Sequence, residues 1–245
     1  MRILLSNDDG YNALGMKLLA EYIKSFSEFT IVAPKNNMSA CSSSLSVQKD
    51  VKIKKTRESV YSVYGTSADS VHLALRGLLK KKYHQVISGI NFGCNMGDDV
   101  IYSGTVAAAI EGRSCLYTPI AISIANREPR YTDDINKKLD LFLPKFLKIK
   151  LEDRNILNVN IPDVPINMIK GVRITKLGSR KISKKAKVSK DGQDIMYGAI
   201  GDVGSPKNSS DGTDFNAVEQ KYISITPISM DMTNYRLISK LKKNN

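Results

Sequence analysis

The sequence predicts an α/β fold: a Rossmann-like three-layer core around a mostly parallel sheet, followed by a β-rich C-terminal extension. Three observations support this. From residue 1 to about residue 165, strand-like apolar runs alternate with helix-periodic segments, the order that builds parallel sheets through crossover connections. Beyond residue 165 the texture changes to β-like runs separated by Gly-, Asp- and Lys-rich connections. The chain has 245 residues and is 42% hydrophobic, enough for one sizeable core with an elaboration. The expected organisation is an α/β core over 1–165 and a β-rich region over 166–245 that is not an independent domain.

Each element has its own justification. MRILLS is a buried strand at the start of the chain, and LGMKLLAEYIKSF spaces Leu14, Met16, Leu18, Leu19, Tyr22 and Ile23 as a helix does. FTIVAP is a second strand closed by Pro34, and the small polar residues of NNMSACSSSLS mark a loop. VKIKK and SVYSVYG form a strand pair, the first with clean alternation. SADSVHLALRGLLKKKY is a helix capped by Thr66 or Ser67, with lysines in its last turn. QVISG is a third core strand, TVAAAIEGR a helix and IAISIA a fourth strand. INKKLDLFLPKFLK is a helix that Pro144 kinks or splits, and NILNVNIP is another strand. VRITKLG, DIMYGAI and KYISITPI are the later β-like runs, with no strong helix expected until the short tail.

Composition narrows the function. The formal net charge is +13, but the lysines are spread along the chain and thicken only in 179–191 and in the tail KLKKNN. No aromatic interleaving or nucleic-acid motif accompanies them, so a solvated surface or attraction of small anions explains the charge better than nucleic acid does. No apolar run approaches a membrane span and no signal peptide precedes the first strand, so a cytoplasmic protein without a membrane partner is expected. Three cysteines (Cys41, Cys94, Cys115) without CxxC spacing suit reduced thiols.

Candidate chemistry begins at SNDDG, residues 6–10, directly after the first strand. Asn, Asp and Gly suit a tight turn, and that alone explains them. Two further facts bear on the pair Asp8–Asp9. In open α/β sheets ligands bind beyond the carboxyl ends of the strands. Adjacent carboxylates in a partly dry crevice also repel each other, and a divalent cation with hard oxygen ligands removes that cost. The same acids argue against a dinucleotide site, whose first turn needs glycines around a pyrophosphate.

A second segment, SGINFGCNMGDDVIYSGTVAAAIEG (88–112), follows another core strand. Gly89, Gly93 and Gly97 lie four apart, matching neither a P-loop nor a Rossmann fingerprint, and let backbone approach a ligand. Asn91 and Asn95 offer neutral polar groups. Ser103, Gly104 and Thr105 open an apolar helix, which makes either a plain N-cap or an anion site. Together with the acids, a cation beside a phosphate points to a metal-dependent phosphohydrolase.

SNDDG, VAP followed by NNMSACSSSLS, GTSADS, the 88–112 segment, LNVNIPD and GTDFNAVEQKYISITPI resemble the SurE family of nucleoside-monophosphate phosphatases over nearly the whole chain. The resemblance implies that Asp8, Asp9, Ser39 and Asn91 bind one divalent cation per subunit, Mg2+ or Mn2+. Asp8 and Asp9, primarily ligands, are also the candidate catalytic residues, with Asp9 the candidate to accept a proton from the attacking water; the resemblance implies that Asn95, Ser103, Gly104 and Thr105 hold the substrate phosphate. It further implies hydrolysis of nucleoside 5′-monophosphates, with 3′-monophosphates and short polyphosphate as further candidates, and a homodimer or homotetramer using its C-terminal region. The family's GTPxDC appears here as GTSADS, with Ser67 for proline and Ser70 for cysteine, and Lys221 replaces a glycine; none of these is a proposed ligand.

Asp98 and Asp99 suit loop capping or support of the metal ligands. Of the two histidines, His72 is expected to be structural and His84 a surface residue, which disfavours a phosphohistidine route. The alternative function is a non-catalytic nucleotide- or phosphate-sensing protein, or one associated with RNA.

Overall fold

The computed structural model describes residues 1–39, 41–183, 185–191, 195–199 and 204–243. Through the first part of the chain β1 (Arg2–Ser6), α1 (Leu14–Lys24), β2 (Glu28–Pro34), β3 (Ile53–Arg57), β4 (Val60–Val63) and α2 (Ser67–Leu73) come in order. They are followed by β5 (Gln85–Phe92), α3 (Gly104–Glu111), β6 (Ile120–Ile124), α4 (Ile135–Asp140), α5 (Leu143–Phe146) and β7 (Asn155–Ile161). The later strands are β8 (Val172–Ile174), β9 (Ser179–Arg180), β10 (Lys187–Asp191), β11 (Ile195–Ala199) and β12 (Pro206–Asn208), and α6 (Asp214–Glu219), β13 (Ile223–Ser229) and α7 (Tyr235–Lys243) end the series.

Nine strands form one sheet in the order β3-β4-β2-β1-β5-β6-β7-β13-β8. The six from β4 to β7 in that order run parallel, while β3 returns antiparallel at one edge. β13 pairs antiparallel with β7, Ser224 opposite Asn160, and β8 runs parallel to β13. Residues beyond 165 thus add two strands to the same sheet.

Alternation along the strands feeds two apolar layers. Ile3, Leu5 and Ile87 pack with Met16, Leu19 and Ile23 of α1, and that cluster extends to Ile135 and Leu139 of α4. On the opposite face Leu4, Val32 and Val86 pack with Val71 of α2 and Ala108 of α3. The result is the expected helix–sheet–helix sandwich.

Sequence order steps from β1 outward to β2 on one side and returns to β5 on the other, so a crevice opens between the carboxyl ends of β1 and β5. Gly89 enables the shape of that rim: its φ is +134°, a Cβ there would sit 2.4 Å from Ile122 O, and the β5–β6 register shifts between Ser88 and Asn91.

Several local expectations change in detail. The helix expected from residue 67 is α-helical only to Leu73 and ends in a π-helical turn, Ala74–Leu78. Pro144 splits its segment into α4 and α5, taking the first turn of α5, where its missing N–H costs nothing. A helix does precede the tail: α6, capped by the Thr213 side chain accepting from Asn216 N, supplies buried Asp214 and Phe215. The core of DIMYGAI is β11, hydrogen-bonded to β10, while Asp194 and Ile200 lie outside the described residues, as do Ala40, Lys184 and the final Asn244–Asn245 of the other polar and basic segments. All three cysteines are free thiols.

Candidate active site

Asn7 and Asp8 divide the work of the first turn. The Asn7 side chain closes it, accepting from Gly10 N at 3.1 Å and donating to Gly10 O at 3.0 Å. The turn explanation therefore holds for Asn7 and Gly10. It does not account for Asp8, which is 4% exposed and engaged elsewhere.

Its neighbour is the N-terminus of α3. Thr105 Oγ1 donates to Asp8 Oδ1 at 2.5 Å. Gly104 lies so close that a Cβ there would meet Asp8 Cβ at 2.6 Å and Oδ2 at 2.8 Å. Ser103 caps the helix, its Oγ accepting from Val106 N at 3.1 Å. Ser67, which stands where the family has proline, donates its hydroxyl to Gly104 O at 2.7 Å and ties α2 to this corner. Asp69 completes a capping box with Thr66 and also accepts from Ser46 N and Oγ at 2.8 and 2.9 Å, so GTSADS anchors the loop after β2.

That loop returns to the crevice at Met38, whose amide donates to Asp8 O at 2.7 Å. Ser39 follows directly. It is exposed, and both its amide (2.8 Å) and its hydroxyl (2.6 Å) donate to Asn37 Oδ1. From β5, Asn91 donates Nδ2 to Gly93 O at 2.6 Å, which leaves its Oδ1 uncommitted by that bond. Asp9 is partly buried and accepts from the Phe92 amide at the end of β5. Asp8 and Asp9 thus stand at the end of β1, Asn91 lies near the end of β5 next to the Phe92 that Asp9 contacts, and Ser39 follows the Met38 bonded to Asp8.

Asn95 is buried in a network. Its Nδ2 donates to Ser123 Oγ of β6 at 2.8 Å, and its main chain is bonded by Asn158 and Asn160 of β7. Asp98 and Asp99 resolve in favour of loop anchoring: Asp98 Oδ2 accepts from Arg180 N at 2.7 Å, and Asp99 takes both Nε (2.8 Å) and Nη2 (2.5 Å) of Arg180. Sequence reasoning missed Arg180 and Asp214. Fully buried Asp214 accepts from Gly97 N at 2.7 Å and Gly178 N at 2.8 Å, clipping the glycine-rich loop to the C-terminal region. An acid beside an apolar residue in GTDF, just after a capping threonine, was the available signal.

His72 pairs with Glu111 on the solvent side (2.9 Å) and takes no part in the crevice. His84 is half-buried rather than a surface residue, its Nδ1 accepting from Arg2 N at 3.0 Å.

The electrostatics separate the two acids. Burial raises the Asp8 pKa, opposed by the Thr105 hydroxyl and the amides of Thr105 and Gly104. Burial and the adjacent Asp8 charge push Asp9 up to about 6. Two neighbouring carboxyls disfavoured as a charged pair fit a cation of charge two. No cluster of three or more His, Cys, Asp or Glu that could hold a metal gathers among the described residues, and the other predicted ligands, Ser39 and Asn91, carry hydroxyl and amide oxygens. That donor set suits a hard cation.

A family model described as Survival protein SurE matches residues 3–184. A curated relative from Mannheimia succiniciproducens, named 5′-nucleotidase SurE, is 44% identical, covering 99% of this chain and 98% of its own. A relative of the same name from Haemophilus influenzae is also 44% identical, over 99% of this chain and 96% of its own. The crystal structure of SurE protein from Aquifex aeolicus superposes with a TM-score of 0.85 at 36% identity, covering 100% of this chain and 99% of that one.

Proposed function

The chain belongs to the SurE family, and from that premise we propose that it hydrolyses nucleoside 5′-monophosphates to nucleoside and phosphate in a divalent-cation-dependent reaction. The observation that carries this reading is the seating of buried Asp8 against the N-terminus of α3, which puts a cation-seeking carboxylate beside anion-seeking amides.

Asp8, Asp9, Ser39 and Asn91 would hold one Mg2+ or Mn2+ per subunit. When bound, such a cation neutralises phosphate oxygens and lowers the pKa of a water molecule. The chain's own groups do the rest. Thr105 fixes the Asp8 carboxylate by a charge-assisted hydrogen bond. The amides of Gly104 and Thr105, with the Ser103 hydroxyl and the Asn95 amide, face the charge that spreads over the phosphoryl oxygens in the transition state. Asp9, the more accessible carboxyl, accepts the proton of the attacking water. 3′-Monophosphates and short polyphosphate present the same terminal phosphate and are secondary substrates.

Residues 1–165 form the catalytic core in this reading and 166–245 serve oligomerisation, as homodimer or homotetramer. Supporting this, α7 has no buried residue and exposes Leu237 and Leu241. A cytoplasmic location belongs to the same proposal; no helix among the described residues is long and apolar enough to cross a membrane.

A panel of nucleoside monophosphates assayed with Mg2+, with Mn2+ and with EDTA tests the reading. Turnover that stops with EDTA and returns with Mn2+ supports it. Turnover indifferent to chelation, or salt-sensitive RNA binding without turnover, contradicts it.

A further inference from the structure

Behind the glycine-rich loop lies a polar cluster whose members, apart from Asn95, have no role in the reading above. Asn158 and Asn160 stand two residues apart on β7, on one face, and both are fully buried. Buried amides in a strand covered on both sides are costly where their polar groups lack partners. Here the main chain of Asn95, a residue of the crevice, partners both polar atoms of Asn160 and the Nδ2 of Asn158, while Asn158 Oδ1 has no hydrogen-bond partner among the described residues. Asn160 Nδ2 donates to Asn95 O at 2.9 Å while Asn160 Oδ1 accepts from Asn95 N at 2.9 Å, so one side chain engages both main-chain groups of Asn95 as a neighbouring strand would. Asn158 Nδ2 adds a second bond to Asn95 O at 2.8 Å.

The cluster is backed by further small polar residues. Ser224 and Thr226 of β13 lie opposite Asn160 and Asn158 in the ladder, and each hydroxyl bonds Thr175 Oγ1 at 2.7 Å. On the other side, Ser123 Oγ takes one hydrogen of the Asn95 side-chain amide at 2.8 Å, which leaves the second for a ligand. The direction of that second hydrogen is therefore set by β6 and β7 rather than by the loop itself, whose glycines cannot fix it.

Resting on the phosphohydrolase reading, we propose that Asn160, seconded by Asn158, is a positioning residue that sets the phosphate affinity of the site by holding Asn95. Neither asparagine touches substrate or cation. Cation binding, which belongs to the neighbouring β1 and β5 ends, is independent of them.

The test measures four quantities on the full-length protein: KM and kcat for AMP, inhibition by inorganic phosphate, Mn2+ affinity, and Tm. Asn160→Ala removes a donor and an acceptor and strands the Asn95 amide. It is expected to weaken inorganic-phosphate inhibition and raise KM by about ten- to a hundredfold, with Mn2+ affinity within about twofold of wild type. Asn158→Ala removes one of two donors to the same oxygen and is expected to have a smaller effect in the same direction. If Asn160→Ala fails to fold, Asn158→Ala decides alone, through the split between phosphate and Mn2+ affinity. Unchanged phosphate inhibition overturns the inference. So does a parallel loss of phosphate affinity, Mn2+ affinity and Tm, which would mark a structural role only. A wild-type protein that neither hydrolyses AMP nor binds phosphate overturns the phosphohydrolase reading and the inference with it, whereas an active wild type beside an unaltered Asn160→Ala sinks the inference alone.

Discussion

Gly104→Ala probes the contact between α3 and Asp8 with a single methyl group. The added Cβ would lie 2.6 Å from Asp8 Cβ, 2.8 Å from its Oδ2 and 2.9 Å from its Cγ. Ordinary carbon contacts are about 3.5–4 Å, so relief requires the helix terminus and the carboxylate to part by roughly 1 Å. Asp8 has little room to retreat, since it is buried and held at 2.5 Å by Thr105. Overpacking of this kind costs about 1–3 kcal/mol, offset by up to about 1 kcal/mol from alanine's better helix propensity. Activity should fall much further than stability, because a displacement of about 1 Å between reacting groups costs on the order of a hundredfold in rate. The assay is kcat/KM on AMP at saturating Mn2+, alongside thermal unfolding. A folded Gly104→Ala protein with wild-type kcat/KM would refute the reasoning, because the α3 terminus and Asp8 could then not be working as one site.

Two further predictions rest on the same pair of acids. Thr105→Val keeps the shape of the side chain but removes a charge-assisted hydrogen bond worth about 1.5–3 kcal/mol, so Mn2+ affinity should fall by about tenfold or more; an unchanged Mn2+ titration would contradict this. Burial and the Asp8 charge raise the Asp9 pKa from 3.8 to about 6, so the metal-free protein gains stability from protonated Asp9 below about pH 4 and loses it as pH rises through about 6. A divalent cation binds the ionised pair, so the rise in Tm on adding Mn2+ should be large at pH 8 and nearly absent at pH 5; a shift of equal size at both would contradict the assignment.

How much of this was legible in the sequence depended on whether a residue acts through local or distant partners. The order of strands and helices up to residue 165 was readable because apolar periodicity is local. The positions of Asp8, Asn91 and Ser103 at the carboxyl side of the sheet followed from that order. Asp98 and Asp99 were harder: their partner Arg180 lies about eighty residues away, and nothing local distinguishes a loop anchor from support of a cation. Asp214 clips Gly97 from 117 residues downstream, a pairing that no spacing rule encodes. Asn158 and Asn160 left a trace, polar residues at i and i+2 inside an apolar strand, but their common partner Asn95 appears only when β7 is laid beside β6. Thr105 is the instructive difference. As a helix-start hydroxyl it suits a phosphate contact, and tertiary packing turns that hydroxyl onto Asp8, a partner that no local pattern announces.

The most direct test of the proposed site is anomalous diffraction from a crystal soaked in Mn2+. One peak is expected at about 2.0–2.2 Å from carboxylate oxygens of Asp8 and Asp9 and from Asn91 Oδ1, with Ser39 rotated off Asn37 to join them. No peak in that crevice, or a peak bound only by surface carboxylates elsewhere, would contradict the assignment of these four residues.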